Sequence, residues 1–220
     1  MKTFIARLFV GIFFCSFVMG KPVFSQTLIT VVDQNNSPLA NVVIEYGSIK
    51  SEVNKVTDDR VYIMDQINKE FDPHVLVVPV NSLVSFPNSD DIRHHVYSFS
   101  SAKTFELKLY AGKPKSPIRF DQEGVVVMGC NIHDSMLGYI YVSTHKNIYM
   151  SNEKGEVMLA HTLPVNSTLQ VWHPNSKVGL SEHTTFTVEQ SLIDNNEIKL
   201  VLPVNTPEPT GSFNELTFNE

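Results

Sequence analysis

In Cys130-Asn131-Ile132-His133-Asp134-Ser135-Met136, a thiol, an imidazole and a thioether follow one another at intervals of three residues. A Cys-x2-His-x2-Met run offers three soft or borderline metal ligands on one short stretch. Soft sulfur and imidazole suit copper, and one Cys with two His in a plane plus a weak axial Met is the set that holds copper for one-electron chemistry. The second imidazole must come from elsewhere, and the run Val84-Ser-Phe86-Pro-Asn88-Ser-Asp90-Asp-Ile-Arg-His94-His95-Val96 offers it. Zinc would accept a thiolate and two imidazoles but takes a thioether poorly. Cysteine nucleophile chemistry, with Cys130 attacking and His133 as base, is the other reading. It finds no clear oxyanion site or orienting third group, and leaves His94 and Met136 without a role.

The compartment bears on that thiol. Lys2 and Arg7 precede an apolar run from Leu8 to Met19, followed by small residues at Gly20 and Ser25, which reads as a secretory signal peptide over 1–25. The run is too short for a membrane span, which needs roughly 20 apolar residues. Cys15 would leave with this segment, and Cys130 remains as a lone cysteine. Outside the cytoplasm an unpaired thiol is open to oxidation, so Cys130 is expected to be buried, catalytic or metal-bound. The net charge is −6, and removing Lys2, Arg7 and Lys21 with the leader takes it to −9. Such an acidic body is a poor partner for a nucleic-acid backbone.

The elements that must position these side chains are strands. Apolar or alternating runs occur at Leu28 to Val32, Val42 to Tyr46, Val75 to Val80, Val84 to Phe86, Thr104 to Tyr110, Val125 to Met128 and Tyr139 to Val142. Turn residues separate them, as in Asp33-Gln34-Asn35-Asn36-Ser37-Pro38 and Asn152-Glu153-Lys154-Gly155. Only Val61, Met64, Ile67 and Phe71 have helical spacing, and the β-branched residues with Pro73 close behind make strand and loop equally acceptable there. The fold class is therefore all-β. Residues 60–142 are spaced like one sandwich, while 147–203 supply three or four more strands whose core would be thin alone. The end, 204–220, is acidic and proline-bearing and reads as a mobile tail. His74, His145, His161, His173 and His183 are scattered singly and read as structural, and Trp172 as a core residue.

Several motifs in order resemble the cupredoxins: Phe71-x-Pro73-x2-Leu76, then Val84-x-Phe86-x-Asn88-x-Asp90-x3-His94-x-Val96, then Phe120-x3-Gly124-x5-Cys130-x2-His133-x2-Met136. The ligand spacing is similar to that of amicyanin. The strings His94 to Ser98 and Cys130 to Asp134 also resemble plastocyanin-like secreted proteins labelled methylamine utilisation proteins. The resemblance covers roughly 60–142. It implies a Greek-key β-sandwich, one type 1 copper ion, and the ligands His94, Cys130, His133 and Met136, with His95 and Asn88 in the surrounding shell. It further implies single-electron transfer with a partner protein in the periplasm or outside the cell, rather than an enzyme. A copper carrier, store or sensor is the alternative. Pro38-Leu39-x-Asn41-Val42-Val43 and Ser151-x3-Gly155-Glu-Val resemble a carboxypeptidase-regulatory-like, Ig-like sandwich. On that resemblance residues 26–50 join 147–203 and the copper unit is inserted between them; otherwise 26–50 is a hairpin of the copper unit itself.

Overall fold

A computed structural model describes residues 26–47, 60–194 and 196–205. The expected signal peptide, Cys15 and the tail from 206 onward lie outside the described residues. Among these residues eighteen strands run in order as β1 (Thr27–Val32), β2 (Val43–Tyr46), β3 (Val61–Ile63), β4 (Asp65–Ile67), β5 (Glu70–Asp72) and β6 (Val75–Pro79). They continue as β7 (Ser82–Ser85), β8 (His94–Ser100), β9 (Lys103–Tyr110), β10 (Ile118–Phe120), β11 (Gly124–Cys130) and β12 (His133–Ser143). The last are β13 (Ile148–Met150), β14 (Glu156–Leu159), β15 (Thr168–Trp172), β16 (Thr184–Thr187), β17 (Ile193–Asp194) and β18 (Glu197–Val201). Among the described residues a 3-10 turn, Gln190–Leu192, is the other regular element. The chain is all-β, and the helically spaced residues around Val61 to Phe71 form β3, β4 and β5.

One sandwich is built from a five-stranded sheet ordered β6-β12-β11-β8-β9 and a three-stranded sheet ordered β10-β7-β3. Between them Met64, Phe86, Val96, Phe120, Val126, Met128 and Ile140 are buried in one core that also includes Cys130 and Met136. Two further sheets, β14-β1-β18-β17 and β13-β2-β15-β16, enclose a second core of Ile29, Val31, Ile44, Leu169, Val171 and Leu200. Here β1 runs parallel to β18 and antiparallel to β14, and β2 pairs antiparallel with β13 and β15. The first two strands thus share sheets with the C-terminal strands. A short C-terminal piece with too few apolar residues to close a core gains that core from residues distant in sequence.

Val43, Val75, Tyr139, Tyr141 and Trp172 form a third cluster, between the two sandwiches. It explains the burial of β12. From Gly138 to Ser143 every residue is buried, because Ile140 and Val142 face the first core while Tyr139 and Tyr141 pack on Trp172 at ring distances of 6.0 and 5.3 Å. A strand covered on both faces reads as an unbroken apolar run. Gly138 is required there: an added Cβ would lie 2.7 Å from the Cβ of Phe71.

Candidate metal centre

The turn after Cys130 is only Asn131-Ile132, and His133 already pairs with Cys130 as the first residue of β12. Beyond that pair the register jumps, since Gly129 is opposite Leu137. Asp134, Ser135 and Met136 therefore form a bulge in β12. Bulges re-aim side chains beside functional sites, and this one buries Met136 to 1% exposure in the core that holds Cys130, while Asp134 and Ser135 stay exposed.

The second imidazole arrives from β8. Its register against β9 also shifts, between His94 and Val96. Alternation along the strand turns His94, Val96 and Ser98 inward. His94 is fully buried, and its Nδ1 lies 3.5 Å from the Sγ of Cys130. His133 Nδ1 lies 3.7 Å from the same sulfur, and the two imidazole rings are 5.0 Å apart. All three donor atoms lie within 4.8 Å of one another, the one such group of three His, Cys, Asp or Glu side chains among the described residues. Ligands bonded at about 2.0–2.3 Å to one ion stand about 3.4–4.0 Å apart, so the spacing and the soft donor set both fit a metal of the copper type.

His94 is held from behind. Its Nε2 is 2.7 Å from Asp90 Oδ2, which favours the tautomer whose Nδ1 lone pair faces the thiol. Asp90 is itself gripped by the β4–β5 hairpin: the backbone N–H groups of Asn68 and Lys69 donate to its two oxygens at 2.6 and 2.9 Å. Those two turn residues have φ of 56° and 63°, the left-handed pair typical of two-residue hairpins. Burial pushes the Asp90 carboxyl up, but the Lys69 N–H, His94 and the Asn68 N–H outweigh it and hold it below the usual range. Sequence reasoning assigned Asp90 no role. Its signal was a carboxylate four residues before the histidine.

Asn88 sits in the same loop, almost fully buried, and ties it to the end of β9. Its Nδ2 donates to the carbonyls of Ile92 (2.8 Å) and Tyr110 (3.0 Å), its Oδ1 accepts from the Asp90 N–H (3.1 Å), and its own N–H donates to Gly112 (2.7 Å). Tyr110, opposite His94 in the register, donates its hydroxyl to the Phe86 carbonyl and accepts from Gln66 Nε2. Burial pushes its pKa up to about 12, so it stays a neutral donor.

His95 is not brought to the donors through its side chain. Strand alternation places its ring on the outer face of β8, where Nε2 lies 2.8 Å from Glu106 Oε1 on β9. Its backbone carbonyl accepts from the Asn131 N–H at 3.0 Å. The other histidines are dispersed. His74 meets Tyr139 edge-to-face, His145 pairs with Glu45, His161 lies beside Tyr46, His183 meets the Tyr141 hydroxyl, and His173 is buried at the end of β15.

No protein-family model and no curated protein matches the chain. Among solved structures it is similar to a purple cupredoxin from Nitrosopumilus maritimus, at 24% identity and a TM-score of 0.33, over 39% of this chain and 100% of that one. It is also similar to an oxidised amicyanin mutant, at 16% identity and a TM-score of 0.35, and to a reduced amicyanin mutant, at 20% and 0.33. Each of these alignments covers 46% of this chain and 98% of that one.

Proposed function

We propose that the chain holds one copper ion as a type 1 centre on His94, Cys130 and His133, with Met136 as the weak axial ligand, and transfers single electrons to or from a partner protein in the periplasm or outside the cell. The observation that carries this reading is the convergence of two imidazole Nδ1 atoms on one buried thiol, with the outer nitrogen of His94 fixed by Asp90. Copper bound there would supply a one-electron couple between Cu(I) and Cu(II). The residues supply the rest. His94 and Cys130, at 0% and 4% exposure, keep water from the donors, and strands on both sides hold them in place so that little has to move when the charge changes. His133 is half-buried and stands next to Ile132, which is 49% exposed, so its ring is the edge through which electrons would pass.

Retention is favoured over delivery for a specific reason. A carrier must offer its donors to an acceptor, and two of these three side chains are closed off. The test is the visible spectrum of copper-loaded protein. An intense thiolate-to-copper band, lost in Cys130→Ser, is expected; a colourless complex would rule the reading out.

A further inference from the structure

The outer face of the five-stranded sheet is covered by the second sandwich over β12 and, among the described residues, is left exposed over β8 and β9. On the bare part Phe99 is 81% exposed, the most exposed large apolar side chain among the described residues. The Tyr97 and Phe99 rings lie 5.2 Å apart with their planes tilted by 40°. Tyr97 is opposite Gly129 in the register, and a Cβ on Gly129 would come within 3.0 Å of the Tyr97 hydroxyl. The phenol end of Tyr97 therefore occupies the space a side chain would take, one residue before Cys130. Beside these rings is an open hollow of about 460 Å³, lined by His95, Tyr97, Phe99, Phe105, Glu106 and Asn131. That size suits a small organic molecule.

We propose that this hollow binds a small planar aromatic molecule bearing hydroxyl donors. Two tilted rings form a shallow wedge that a third flat ring fills by offset stacking, whereas an aliphatic ring of the same size lacks that contact. Binding also removes Phe99 from water. The polar wall selects the substituent: the Glu106 carboxylate, oriented by its 2.8 Å contact with His95 Nε2, accepts a hydrogen bond donated by a hydroxyl and repels an anionic group. Both residues that flank Cys130, Gly129 beneath Tyr97 and Asn131 in the wall, border the site. No metal is needed for this recognition, so it stands apart from the copper reading.

The test is a backbone NMR titration of the metal-free protein with hydroquinone, 1,4-cyclohexanediol and 4-hydroxybenzoate. Hydroquinone should give saturable ring-current shifts at His95, Tyr97, Phe99 and Asn131, with a dissociation constant on the order of millimolar. Phe99→Ala, the cyclohexanediol and the benzoate should each bind about tenfold more weakly. Glu106→Gln should recover the benzoate. Because Phe99 is exposed, its alanine variant should keep a folded spectrum. Absence of saturation, shifts confined to other residues, or equal binding by the diol or by Phe99→Ala would overturn the proposal.

Discussion

Asp90, in the loop before β8, and His94, the first residue of that strand, meet at 2.7 Å through Oδ2 and Nε2, while the other nitrogen of the same ring faces the Cys130 sulfur at 3.5 Å. The carboxylate is thus one hydrogen bond behind the imidazole proposed as a metal ligand. It sets which nitrogen carries the proton and how the ring is turned.

Asp90→Ala is therefore expected to weaken copper binding about 10–100-fold without destroying the site. Competition against a chelator of known affinity measures this directly. Asp90→Asn, which keeps an acceptor oxygen, should lose less, and an effect no larger than that of a surface aspartate such as Asp91 would show that the contact is idle.

His94→Ala should abolish the thiolate-to-copper band. His95→Ala should leave it recognisable, because that ring bonds Glu106 on the opposite face of the strand. Absorption spectra of the two variants at equal copper loading decide the order. Greater damage from the His95 change would reverse the assignment.

Met136→Leu replaces a buried thioether by a side chain of similar volume, so the fold should hold within roughly 1.5 kcal/mol. Three ligands remain, and colour should persist while the midpoint potential moves, as axial ligands tune it. Voltammetry of wild type and variant would check this, with an unchanged midpoint arguing against axial contact.

His173 supplies a pH prediction independent of the metal. Burial, reinforced by nearby His74 and only partly offset by a hydrogen bond to the Ala40 carbonyl, lowers its pKa from 6.5 to about 4. Between those values the unfolded chain binds more protons than the folded one, so stability is full above about 6.5 and falls as the pH drops toward 4. The loss should be on the order of 3 kcal/mol, levelling off below the folded pKa. Urea denaturation of the metal-free protein across that range, compared with His173→Gln, should show the variant's profile to be flatter.

Much of this molecule was legible from local pattern. Strand alternation and turn residues are written into contiguous residues, so the all-β class follows from sequence, and Cys130, His133 and Met136 stand close enough in the chain for their shared chemistry to be seen. The membership of the two cores was not legible in that way. Whether residues 27–46 pair with the first sandwich or with 148–201 depends on β1 lying parallel to β18, a contact between strands more than 160 residues apart that no local pattern encodes.

The histidine pair shows the limit most clearly. Period-two alternation requires His94 and His95 to face opposite sides, and hydrophobicity alone would turn His95, Tyr97 and Phe99 inward, since that set is the more apolar. Tertiary structure chose the other parity, with Val96 in the core and Phe99 in water, because β8 pairs with β11 in the register that sets Val96 opposite Cys130 and so brings His94 beside that thiol on the inner face of the sheet. Sequence determined the strand class and the donor types. The register between distant strands, set by packing of the whole sandwich, decided which imidazole reaches the thiol and which carboxylate stands behind it.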